Sequence, residues 1–121
     1  MSGIVFFRTE HRDDVTEFYT DRLGFDRWLE QEGGCTILQH GNLLVGFCDA
    51  PATETDGIVT VVLEDDAAVD ALYQELSDVA HGPPEVNEDF DIYQFFAEDP
   101  DGRTLEVQTF RHPTPPIQSD H

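Results

Sequence analysis

Apolar and polar positions alternate, shift to a helical period, then alternate again, and this order occurs twice along the chain. Ile4-Val-Phe-Phe-Arg8 has the alternating, β-branched and aromatic character of a strand. From Asp13 the apolar residues Val15, Phe18, Tyr19 and Leu23 fall at helical spacing, with Asp13 or Asp14 as the cap and Gly24 as the stop. Asp26 to Gln31 predicts a second strand. Cys35 to His40 and Leu43 to Cys48 predict a hairpin around Gly41-Asn42. After the loop from Asp49 to Gly57, Ile58 to Leu63 starts the order again. A helix follows, capped by Asp65 or Asp66, with Val69, Leu72, Tyr73 and Leu76 as its apolar stripe. Gly82-Pro83-Pro84 breaks the chain before a short strand near Val86, and strands over 92–98 and 103–109 complete the second round.

The predicted class is therefore α+β, with two tandem βαβββ modules over residues 3–49 and 57–110. Residues 1–110 would form one domain, and 111–121, rich in Pro, a loose tail. A four-stranded sheet with a helix on one face leaves its other face open. Two such sheets side by side would make a paired curved mixed sheet with a central cleft, the natural place for a ligand.

The last two strands carry the chemistry. Asp99-Pro100-Asp101-Gly102 is a turn in which Pro100 presets φ and Gly102 tolerates a positive φ. The strand after it holds Glu106 between Leu105 and Val107. A carboxylate on a half-buried strand needs a metal, an arginine, a ligand or a proton, because an unpaired buried charge costs several kcal/mol.

Composition narrows the partners. Against 26 acidic residues stand six basic ones, all Arg, for a formal net charge of −20. Binding to nucleic acid through phosphates needs a basic surface, so it is not expected. No apolar run is long enough to span a membrane, and Met1-Ser2-Gly3 leads straight into a strand without a signal-peptide pattern, so the expectation is a cytoplasmic protein without membrane contact. The acids are spread along the chain, as on a solvated surface adapted to concentrated salt, which screens self-repulsion. A halophilic source is expected.

Phe18-Tyr19-(x3)-Leu23-Gly24-Phe25 in the first module and Asp99-Pro-Asp-Gly-(x3)-Glu106 in the second resemble motifs of the vicinal oxygen chelate superfamily, which includes glyoxalase I, bleomycin and fosfomycin resistance proteins and extradiol dioxygenases. The resemblance covers residues 3–110. It implies a paired βαβββ cup, a homodimer, a small-molecule ligand and a divalent metal, Zn, Ni, Fe or Mn, with none favoured here. Glu106 matches a metal ligand of that family. The first-strand ligand position, fourteen residues before the Phe-Tyr pair, is Ile4, and its second-module counterpart is Ile58. The fourth-strand position falls near Gly46 or Cys48. Isoleucine cannot coordinate, and such metals need three or more protein ligands.

Other candidates follow from strand alternation. Ile4, Phe6 and Arg8 share a face, which in the resembled cup lines the cleft. Arg8 matches a position where glyoxalases hold a substrate carboxylate; otherwise it is a surface residue, or pairs with Glu106. Thr104 and Gln108 share the face of Glu106, and the resembled register adds Gln94 and Phe96, the latter otherwise ordinary core. Gln39 lies on the face opposite His40 and is counted with the cleft. Counting back from Gly41-Asn42 places Cys35 opposite Cys48, so both a disulfide and a thiol site involving Cys48 are conceivable, with two small thiols favoured in a reducing compartment. The five His are not spaced as metal ligands.

The leading expectation is a small-molecule-binding protein without the standard metal set. The alternatives are a glyoxalase-like lyase, isomerase or dioxygenase built around Glu106, and a partner-binding domain. The charge distribution makes its own prediction: in molar KCl the protein melts several degrees higher than in dilute buffer, measured by calorimetry, and an equal or lower melting temperature there refutes salt adaptation.

Overall fold

A computed structural model describes residues 3–117. Its elements run β1 (Ile4–Thr9), α1 (Arg12–Asp21), β2 (Asp26–Gln31), β3 (Cys35–His40), β4 (Leu43–Asp49), β5 (Ile58–Val62), α2 (Asp66–Leu76), β6 (Glu85–Asn87), β7 (Ile92–Glu98) and β8 (Thr104–Phe110). The chain divides into two compact units at Thr55/Asp56, inside the loop expected from its sequence. The strand order of the first unit is β1-β4-β3-β2 and that of the second β5-β8-β7-β6. Each is a mixed sheet with one parallel pair, β1/β4 or β5/β8, made possible by the helix that crosses between the units' first two strands. The α+β reading and the tandem βαβββ order are the observed ones.

In the first unit α1 packs on β3 and β4. Tyr19 is fully buried, 5.0 Å from the Phe47 ring and 5.3 Å from Phe25. Gly24, at φ +78°, turns the chain so that Phe25 enters this aromatic cluster. The expected cap by Asp13 or Asp14 is not found. His11 holds the N-cap position without a side-chain bond, and both aspartates lie in the first turn. There their charge still meets the positive end of the helix dipole. Along β2, register shifts between Arg27 and Leu29, so Trp28 is the extra residue of a β-bulge and stands half exposed.

Cys35 and Cys48 face each other, as the count from Gly41-Asn42 predicts. They form a disulfide, which corrects the expectation of two free thiols. That expectation rested on the redox state of an assumed compartment, whereas the pairing follows from the register, which brings the two side chains together.

In the second unit α2 packs on β7 and β8, with Tyr73 5.4 Å from Phe95 and Val69 and Leu76 fully buried. Asp65 caps α2 by accepting the Ala68 N–H at 2.8 Å. The turn before β8 is held from inside. Asp99 Oδ1 accepts the N–H groups of Asp101 and Arg103. Its other oxygen takes Arg103 Nη1 at 2.7 Å, with both side chains fully buried. Gly102 has φ +82°. Arg103 was not singled out in the sequence, because a charged residue following a turn has the pattern of a solvated one.

Arg111 N–H donates to the Asp91 carbonyl, and its guanidinium lies 3.8 Å from Asp66, so the start of the expected tail is tied to the second unit. Residues 118–121 of that tail, and Met1-Ser2, lie outside the described residues. Among the described residues no helix is long and apolar enough to cross a membrane.

On the helix-facing side of β7, the Tyr93 hydroxyl donates to Asp70 at 2.6 Å and ties α2 to the sheet. Its pKa is pushed up from 10.0 to about 12, first by that hydrogen bond, then by desolvation and the charges of Asp70 and Asp66. A folded-state pKa above the unfolded one supplies stability that is complete below pH 10 and lost as pH rises toward 12. In an ultraviolet titration Tyr93 therefore ionises well above ordinary tyrosine, and Asp70→Asn brings it back toward 10. Arg103→Ala leaves Asp99 buried without its cation and lowers stability by about 3–5 kcal/mol in denaturant melts. A loss below about 1 kcal/mol would show that the turn does not depend on this pair.

Candidate functional site

Each sheet has one face against its helix and one away from it. On the second sheet, pairing of Thr60 with Glu106, Phe96 with Glu106 and Gln94 with Gln108 puts these side chains on the face away from α2. Thr104 pairs with Ile58 and Glu98 on the same face. Five sequence candidates, Gln94, Phe96, Thr104, Glu106 and Gln108, are thus brought together. Phe95, one residue along, faces α2 instead.

Glu106 is half-buried, and the partner it has is a hydroxyl: Thr60 Oγ1 donates to its Oε1 at 2.9 Å. Its second oxygen has no protein partner among the described residues. Such a carboxylate can accept a ligand hydrogen bond or a proton. On the neighbouring strand Gln94 is 9% exposed, and its Oε1 accepts from Asn87 Nδ2 at 3.2 Å. Phe96 is 37% exposed and so is not ordinary core. Between β6, β7 and the 81–83 segment lies a pocket of about 370 Å³, whose lining includes Gln94, Phe96, Asn87 and Val86. Sequence reasoning missed Thr60 and Asn87. Thr60 could have been found from the period of two along its strand, but Asn87 needed the β6/β7 register, which the three-residue β6 does not announce.

The first sheet's face away from α1 carries Ile4, Phe6 and Arg8 of β1 beside Leu44, Gly46 and Cys48 of β4. The Phe6 ring lies against Gly46, and a Cβ at Gly46 would overlap it. Arg8 is exposed, and its guanidinium has no protein partner among the described residues; its backbone N–H donates to Glu54 Oε1 at 2.8 Å. An anionic group could bind there. Gln39, paired with Leu44, shares this face at the hairpin end, where its amide donates to the Gly41 carbonyl at 3.1 Å. Cys48 is bonded to Cys35 and so cannot serve as a thiolate ligand.

These residues do not fit a transition metal. Among the described residues no group of three or more His, Cys, Asp or Glu is placed to hold one. Around Glu106 the neighbours are Thr60, Phe96, Thr104 and Gln108, without nitrogen or sulfur ligands. The position expected on the fourth strand is covered by the Phe6 ring at Gly46 or closed as the Cys48 disulfide.

The fold is that of the vicinal oxygen chelate proteins. A structure of lactoylglutathione lyase from Agrobacterium tumefaciens superposes with a TM-score of 0.73 at 17% identity, over 90% of this chain and 92% of that one. A glyoxalase/bleomycin resistance protein/dioxygenase from Nocardioides gives 0.72 at 19%, over 99% and 89%. An integron cassette protein from the metagenome of a Halifax Harbour sewage outfall gives 0.78 at 20%, over 91% and 98%. No protein-family model and no curated protein matches the chain.

Proposed function

We propose that the chain is a vicinal oxygen chelate superfamily protein that binds a small organic molecule on the open face of its second sheet without the superfamily's transition metal. The observation that carries this reading is the Thr60–Glu106 bond. The matching carboxylate is present but its neighbours are two hydroxyls, an amide and an aromatic ring, with Ile58 where a ligand would stand. This set suits hydrogen bonding to a polar organic molecule. The likeness to a solved glyoxalase/bleomycin resistance protein/dioxygenase supports a binding role in outline. Residues 1–110 act as the binding domain and work as a homodimer in a salt-adapted cytoplasm; the net charge of −20 supports the salt adaptation.

A second reading rests on the free oxygen of Glu106. A half-buried carboxylate with one oxygen fixed by Thr60 and the other open can take a proton from a bound substrate as a general base. Likeness to a lactoylglutathione lyase supports this lyase or isomerase reading in outline.

Metal content per chain, measured by elemental mass spectrometry on untagged protein in high KCl, separates these from the standard chemistry. The expected result is sub-stoichiometric metal, unchanged in Glu106→Gln. About one transition metal per chain, lost in that variant, would overturn the metal-free reading. In a fragment screen by thermal shift, ligands of this face bind about tenfold more weakly to Glu106→Gln.

A further inference from the structure

We propose that the pocket beside β6 and β7 is a subsite for a neutral carbonyl group attached to an apolar ring, such as an aryl amide or aryl ketone. The inference rests on the reading that the second sheet's open face binds a small molecule, and it names the chemistry of one part of that ligand.

The argument begins with a side-chain orientation fixed by backbone. After β6 the chain turns through residues 88–91, with Asp91 at φ +53°. Asn87 holds the turn, its Oδ1 accepting the N–H groups of Asp89 at 3.1 Å and Phe90 at 3.4 Å. Backbone N–H groups can only donate, so that atom of Asn87 must be the oxygen. The amide nitrogen of Asn87 therefore points the other way, toward Gln94 at 3.2 Å. A donor there requires an acceptor, so Gln94 presents its oxygen to Asn87. Its own NH₂ group is left as the outward one.

That NH₂ has no protein acceptor among the described residues, although Gln94 is nine-tenths buried and lines the pocket. Among the described residues it is not one of the sealed polar atoms that lack a partner, so in the free protein it donates to water, and a ligand acceptor takes that water's place. The volume, about 370 Å³, suits a single ring with a short substituent. Phe96 and Pro83 supply apolar walls, Phe96 being 37% exposed in the free protein, while Glu85 and Asn87 of β6 share the face of Gln94.

Charge decides which acceptor fits. Glu85 and His81 line the pocket, and Glu98 lies 3.2 Å from His81. No arginine is among its lining residues. A carboxylate would accept from Gln94 equally well but would meet Glu85 and the chain's net negative charge without a compensating arginine. A ligand cation would suit the acids but offers the Gln94 NH₂ no acceptor. A neutral carbonyl satisfies the amide and raises no repulsion.

Three probes of one shape separate these cases: benzamide, benzoate and benzamidine. Each is titrated at millimolar concentration into ¹⁵N-labelled full-length protein in high KCl. The expected result is that benzamide alone shifts the Gln94 side-chain NH₂ signal together with the amides of Asn87 and Phe96. Gln94→Leu weakens benzamide about tenfold. Gln94→Glu keeps the shape, loses benzamide and takes benzamidine. Benzoate binding as well as benzamide, benzamidine binding best to the unaltered protein, no shift at Gln94, or unchanged benzamide binding in Gln94→Leu would each overturn the proposal. Glu106→Gln keeps the two readings apart. Benzamide binding that survives this variant supports the subsite on its own. Screened ligands that lose affinity in Glu106→Gln while benzamide leaves Gln94 unmoved would sink the subsite and spare the broader function.

Discussion

A buried arginine beneath a four-residue turn sets where the side chains of the second sheet point. Arg103 is held by Asp99, and Asp99 in turn gathers the backbone N–H groups that shape the turn. The β7/β8 register follows from that turn. A shift of one residue would send Gln94, Phe96 and Glu106 to the helix side and bring Phe95 and Val107 out into water. The buried pair need not add much net stability, since two desolvated charges cost what their attraction returns. What it supplies is a single register, and the candidate site exists only in that register.

Much of the fold was legible along the chain. The change of period from two to helical and back identifies both βαβββ units, and Gly41-Asn42 alone fixes which residues of β3 and β4 face each other, down to Cys35 and Cys48. The site was legible where alternation sufficed: Glu106 implies Thr104 and Gln108. It was not legible where it depends on contacts between distant strands. Thr60 meets Glu106 through a parallel pairing 46 residues apart, and Asn87 meets Gln94 across a strand of only three residues. The disulfide was half legible, since position is written in the register and oxidation state is not. Arg103 shows the opposite failure: its burial depends on how the turn folds back over it.

The family resemblance and the residues pull apart at one place, and the structure gives a physical reason. Gly46 is small because the Phe6 ring occupies the space above it. Ile4 and Ile58 stand where the sequence resemblance led us to expect ligands. Both positions carry apolar side chains here.

Trp28 is the chain's one tryptophan, and the bulge that sets it half exposed on the edge of the first sheet also makes it an optical reporter of that unit alone. Two of the three tyrosines, Tyr73 and Tyr93, sit in the second unit, between α2 and β7. The tryptophan thus belongs to the first unit alone, while tyrosine is weighted two to one toward the second. Whether the two units melt as one body or one after the other can be followed by intrinsic fluorescence and absorbance, without a label or a substitution.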